Sequence, residues 1–145
     1  MNAKTILFPT DFSTFSEAAL IHATSLARDS GAKLLILHIE EPPKAYIGGM
    51  YAGYLEPTRM EIVEMLEQIK PDTVEYEHLL VGGDPATEIV RVAQERGADL
   101  IVMGTHGRTG LRRMLMGSVA EEVVRNATCP VLSFKEPAAI PAQTD

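Results

Sequence analysis

The segment DLIVMGTHGRTGLRRMLMGSVAEEVV, Asp99 to Val124, carries in one stretch a strand, a glycine-rich loop and a helix. Asp99 to Met103 is apolar without alternation, the mark of a strand covered on both faces. Met116, Ala120, Val123 and Val124 recur at helical spacing and mark one buried face. A strand that runs through glycines into a helix is half of a βαβ unit. The rest of the chain repeats that unit.

Thr5 to Pro9 (TILFP) and Lys33 to Ile39 (KLLILHI) read as two further buried strands. Val74 to His78 (VEYEH) alternates, with Glu75 and Glu77 on one wet face, as an edge strand would. Pro130 to Phe134 (PVLSF) is the last strand, its proline tolerable at a strand start or an edge. Between them lie four helices. Phe15, Ala18, Ala19, Ala23 and Leu26 mark the first, capped through the Thr14–Glu17 spacing or by Asp11 or Ser13. Ile62, Met65, Leu66 and Ile69 mark the second, stopped by Pro71. Ala86, Ile89, Val90 and Ala93 mark the third, with Asp84 as N-cap, Pro85 in the first turn and Gly97 as terminator.

The order β-α-β-α-β-α-β-α-β predicts an α/β domain: a doubly wound, five-stranded parallel sheet with helices on both faces. In such sheets ligands sit beyond the C-terminal strand ends, where strand order reverses. That rule selects the loops after Pro9, Ile39 and Met103. The Tyr- and Gly-rich stretch Glu40 to Pro57 reads as a long loop, with its tyrosines as either a lid or a surface anchor. A single domain is expected over residues 1–135, with 136–145 as a disordered tail.

Bulk properties limit the partners. The chain has 145 residues and a net charge of -7, which argues against a nucleic-acid binder and an anionic membrane surface. No apolar run approaches the roughly 20 residues of a membrane helix. The single cysteine, Cys129, permits no intrachain disulfide, and a cytoplasmic protein is expected. Cys129 itself reads as buried and inert. No Cys/His cluster has zinc spacing.

The loop from Gly104 to Ser118 has the chemistry of a phosphate site. Glycines let backbone approach a ligand, and free N–H groups at a helix start attract an anion. Arg108, Arg112 and Arg113 add positive charge within an acidic chain. Arg108 adjoins Gly107 and is the best placed of the three. Arg112 and Arg113 read as solvated or paired with Glu121 and Glu122. Ser118 is either a phosphate contact or a helix cap. Asp11 is either a helix cap or a ligand contact, and the two are compatible. His38 reads as a satisfied core or strand-end histidine. His22 and His78 have no partner suggested by sequence. Neither a P-loop nor a dinucleotide-binding glycine motif is present.

The spacing G-x2-G-x9-G-[ST], met by Gly104, Gly107, Gly117 and Ser118, resembles the ATP-binding signature of the universal stress protein family. Pro9 to Ser13 (PTDFS), the LHI of the second strand, Gly83 to Pro85 and Cys129 to Val131 agree with it. The resemblance implies a sheet in the order 3-2-1-4-5 and ATP, ADP or AMP at its C-terminal edge. It implies that Pro9, Thr10 and Asp11 flank the ribose, adenine or metal side. Ile39 and Met103 would lie near the base. Gly104, Gly107, Arg108, Gly117, Ser118 and Val119 would surround ribose and phosphates. Asp11 would hold Mg²⁺ through the phosphates.

The expected function is a nucleotide-dependent stress or regulatory module, with slow hydrolysis at most, because no residue is evident that would orient a water. The alternatives are a nucleotide hydrolase or transferase on the same fold, and a dimeric scaffold with a vestigial loop. A homodimer is expected through the uncharged edge at 131–134, and an unidentified protein partner is a further expectation.

Overall fold

The computed structural model describes residues 2–42, 46–47, 50–51, 57–106 and 117–135. Its elements run β1 (Thr5–Pro9), α1 (Thr14–Ser30), β2 (Lys33–Glu40), β3 (Tyr46–Ile47), β4 (Met50–Tyr51), α2 (Arg59–Glu67), β5 (Glu75–Gly82), α3 (Pro85–Glu95), β6 (Leu100–Gly104), α4 (Ser118–Asn126) and β7 (Val131–Phe134). Five strands form a parallel sheet in the order β5-β2-β1-β6-β7. This is the order 3-2-1-4-5 once the short antiparallel β3–β4 hairpin is set aside. That hairpin lies inside the stretch read from sequence as a plain loop.

Strand alternation divides the core into two layers. Ile6, Phe8, Leu34, Ile36, Leu100 and Val102 face α1 and α2, against Ala19, Ala23, Ala27 and Leu66. Leu7, Leu35, Leu37, Ile39, Ile101 and Met103 face α3 and α4, against Ala86, Ile89, Val92, Ala93, Ala120 and Val123. Because both faces are covered, the central strands carry apolar residues at consecutive positions, such as Ile6 to Phe8 and Leu34 to Leu37. Alanines on the buried side of α1 let that helix lie close to the sheet.

Element ends follow from local chemistry. Ser13 caps α1, its Oγ accepting from Ser16 N at 3.2 Å, so the cap falls to one of the alternatives rather than to Thr14. Thr58 and Glu61 form the capping box of α2. α2 closes at Glu67, four residues before Pro71. A proline ring clashes with the carbonyl four residues back, and it also bars Lys70 from helical geometry. Asp84 caps α3 as read, with Pro85 in its first turn and Gly97 beyond its end at φ 64°. On α4, Ala120 and Val123 are buried but Val124 is exposed, a correction to the expected face. Met116 lies outside the described residues.

β5 runs to Gly82 rather than stopping at His78, because all eight of its residues pair with β2, from Lys33↔Glu75 to Glu40↔Gly82. It is an edge strand, as its alternation predicts. Its wet face is tied down by Glu77, which meets Lys33 Nζ at 2.9 Å and Arg96 at 2.7 Å. Hydrogen bonds from Arg96 and then Lys33 hold the Glu77 carboxyl down at about 2. A carboxyl lowered in the folded state stabilises above its unfolded pKa, near 4.3, and that contribution is lost as pH falls through about 2. The cluster is more than a third exposed, so screening limits its worth to about 1 kcal/mol. Glu77→Gln is therefore expected to lower stability by that amount at pH 7, by less in high salt, and hardly at pH 2. Urea melts at the two pH values check this.

Candidate functional site

The site is assembled where β2, β1 and β6 end side by side. Thr10, just past β1, donates its N–H to Leu37 O at 2.8 Å, extending the β1–β2 ladder by one step. Its carbonyl accepts from His38 Nδ1 at 2.8 Å. That bond satisfies the buried histidine, as its position inside an apolar strand predicts. The Thr10 hydroxyl accepts from Phe12 N at 3.0 Å and donates to Ser16 Oγ at 3.0 Å. Ser16 Oγ in turn donates to Ser13 O at 2.9 Å. Asp11 Oδ1 accepts from Ser13 N at 3.0 Å.

This network encloses Phe12, whose φ of 65° is unusual for an aromatic residue. Left-handed backbone at a bulky side chain persists where its surroundings over-determine it. Here the network does so, together with the Phe12 ring, which lies on His38 with centroids 4.6 Å apart. The turn thereby presents the half-buried Asp11 at the strand edge. Asp11 tightens the turn through Ser13 and does not cap α1 itself.

On the neighbouring strands, Ile39 and Met103 are buried on the α3–α4 layer at the same edge. Gly104 ends β6. A Cβ placed there would lie 3.0 Å from both the carbonyl carbon and the Cβ of Phe15. Gly104 is absent from the positive-φ glycines. Its smallness therefore admits the first turn of α1, alongside the ligand approach that the sequence reading expects of it. Thr105, which that reading passed over, is buried and joins two elements. Its N–H donates to Phe134 O at 2.8 Å, and its carbonyl accepts from Gly117 N at 2.8 Å. The second bond closes the neck of the loop and places the start of α4 beside the end of β6.

Gly117 is the N-cap of α4, at φ -69° and ψ 161°, and supplies no side-chain cap. Ser118 is the first helical residue, so it does not serve as the cap. α1, α2 and α3 are all capped by side chains, from Ser13, Thr58 and Asp84. The first turn of α4, with Ser118 and the exposed Val119, receives no cap from the side chain of its N-cap residue, and N–H groups at such a turn attract an anion. Of the residues singled out from sequence, Pro9, Thr10, Asp11, Ile39, Met103, Gly104, Gly117, Ser118 and Val119 lie at this edge. Gly107, Arg108, Arg112 and Arg113 lie outside the described residues. Glu121 pairs with Arg125 at 2.8 Å.

Other candidates resolve into structure. His22 stacks on Phe134, with rings 3.9 Å apart and 2° from parallel. His78 donates to Ile69 O at 2.7 Å. Cys129 is half-buried rather than buried, and desolvation pushes its thiol up, away from thiolate reactivity. Among the described residues, no group of three or more His, Cys, Asp and Glu could hold a metal ion. No helix among them is long and apolar enough to cross a membrane.

Comparison with known proteins supplies an independent measure. The family model described as "Universal stress protein family" matches residues 2–135. A universal stress protein of Methanocaldococcus jannaschii is 39% identical over 142 residues, covering 92% of this chain and 83% of that protein. One of Bacillus subtilis is 34% identical over 141 residues, covering 88% and 95%. Among solved structures, the universal stress protein UspA from Lactobacillus plantarum superposes with a TM-score of 0.81 at 22% identity, covering 93% of this chain and 99% of that one. A universal stress protein in complex with cAMP gives a TM-score of 0.70 at 27% identity, covering 93% and 98%. One from Archaeoglobus fulgidus in complex with dAMP gives 0.61 at 26%, covering 93% and 100%.

Proposed function

The chain belongs to the universal stress protein family, and on that premise we propose that it is an adenine-nucleotide-binding stress or regulatory module that takes ATP, or ADP or AMP, at the C-terminal edge of its sheet. The observation that carries this reading is the first turn of α4, whose N-cap is a glycine with no side chain to offer and which is hydrogen-bonded into place beside the end of β6. Peptide N–H groups and the helix dipole there suit phosphate. Relatives solved with cAMP and dAMP support an adenine nucleotide as the class.

In the proposed complex, Ile39 and Met103 flank the base, with the Ile39 backbone available to it. Pro9, Thr10 and Asp11 border the ribose side. Gly104, Gly107, Arg108, Gly117, Ser118 and Val119 surround ribose and phosphates. Only one Asp11 oxygen is used by the turn, so the other fits a Mg²⁺ ion carried by the phosphates, which would offset their charge. Turnover is slow at most, because no residue evident in the sequence would orient a water. The setting proposed is the cytoplasm, supported by the lone cysteine.

A ligand selective for the folded state must stabilise it. At about twentyfold excess over Kd, ATP is expected to add about 1.8 kcal/mol, or roughly 5 °C in Tm. An unchanged melting curve with ATP, ADP and AMP, with and without Mg²⁺, would overturn the reading.

The proposal includes a homodimer through β7. That strand is the sheet's other edge and carries no charged residue, and it exposes Leu132 (40%) on the α1 side of the sheet. Symmetric pairing would satisfy its free backbone groups and help to cover Leu132. Light scattering is expected to give twice the chain mass, and Leu132→Lys to shift the population towards monomer. A wild-type mass of one chain at every concentration would refute the dimer.

A further inference from the structure

A cavity of about 240 Å³ opens between α1 and α2, on the layer opposite the proposed nucleotide site. Phe8, Phe12, Leu20, Met65 and Ile69 supply its apolar wall. Thr10 and Ser16 reach it from the floor, and Glu17 and Gln68 stand at its rim. Phe8 belongs to the core layer facing α1 and α2, whereas Ile39 and Met103 belong to the other. The two sites are therefore back to back across the Pro9–Ser13 turn.

Size and hydrogen-bonding capacity together define what the cavity can take. An apolar cavity of about 150 Å³ holds one benzene ring. The volume here has room for a fused pair of rings. The floor hydroxyls are 7% and 4% exposed and have committed their protons: Thr10 donates to Ser16, and Ser16 donates to Ser13 O. A hydroxyl with its proton engaged retains lone pairs and can only accept. Each of the two already accepts one bond, so each has capacity for one more. The Glu17 carboxylate at the rim is also an acceptor. An acceptor placed against the floor would leave buried lone pairs facing lone pairs, since the one amide donor among the lining side chains, Gln68, stands at the rim.

We infer that the α1–α2 cavity is a second ligand site, which takes a compact aromatic molecule bearing an N–H or O–H donor, of the indole or phenol class. The ring fills the Phe8–Leu20–Met65 wall by dispersion and burial, and the donor meets the acceptor-only floor. No bond is made or broken there.

Indole is the probe, followed by amide shifts of the isotope-labelled protein during titration. Saturable shifts are expected at Ser16, Leu20, Met65 and Ile69, and they should persist in excess ATP. 1-Methylindole keeps the rings but lacks the donor, and is expected to bind roughly fivefold more weakly. Leu20→Trp, which fills the cavity from α1, should weaken indole binding more than tenfold, and Met65→Trp offers the same test from α2. The inference is overturned if indole shows no saturation, if the two indoles bind equally, or if the shifts map to Ile39, Met103 and Ser118. The last outcome would place indole in the proposed nucleotide site. Failure of ATP to bind would leave the indole result standing, so the two readings fall separately.

Discussion

Gly117→Asp is expected to weaken ATP binding by at least about 100-fold while leaving the fold slightly more stable. The backbone at Gly117, φ -69° and ψ 161°, is ordinary extended geometry that any residue adopts. Aspartate there introduces no backbone strain and is among the preferred N-cap residues, gaining a few tenths of a kcal/mol over glycine. Its carboxylate would accept from the same first-turn N–H groups that the proposal assigns to phosphate. Placing that charge against a polyphosphate costs several kcal/mol, and about 2.7 kcal/mol already corresponds to 100-fold. Titration calorimetry and a thermal melt on one sample give both numbers. A variant that binds ATP as the parent does would remove α4 from the site. A variant that fails to melt cooperatively would show that Gly117 is needed by the fold.

Gly104→Val is expected to fail in the opposite way, with a loss of roughly 3 kcal/mol of stability from overpacking. The added Cβ would meet the Phe15 carbonyl carbon and Cβ at 3.0 Å and the Phe15 carbonyl oxygen at 3.1 Å. Two of those three atoms are main chain at the start of a capped helix, and they cannot turn aside as a flexible side chain does. α1 would have to lift from the end of β6. Gly104→Ala should lose less, because it lacks the two further methyl groups. Denaturant unfolding of both variants measures the order. Equal stability of parent and valine variant would show that Gly104 serves the ligand alone. Gly117 and Gly104 thus separate by assay, one through affinity and the other through stability.

Much of the fold was legible for a simple reason. Covered strands such as Lys33–Glu40 must be apolar at consecutive positions, and punctuation such as Asp84–Pro85 and Gly97 acts within a few residues. The limits of that reading are equally local. Leu79 to Gly82 belong to β5 because β2 runs alongside them, which no pattern within the segment reveals. Val124 has the hydrophobicity of a core residue but the wrong angular position on α4. Thr105 carries no signal in isolation, and its part depends on Phe134 and Gly117 meeting it from elsewhere in the chain.

By itself, the sequence determined the alternation of strands and helices and which of its residues fall in the loops at the C-terminal edge of the sheet. Those follow from short-range propensity and from the periodicity that burial imposes. Only the tertiary structure decided that Ser13 rather than Asp11 caps α1, that His38 holds Thr10, and that Gly104 makes room for Phe15. It alone disclosed the α1–α2 cavity behind the Pro9–Ser13 turn. Each of these is a contact or a space between segments distant along the chain. Such features arise from how packed layers fit together, and no local pattern encodes that fit.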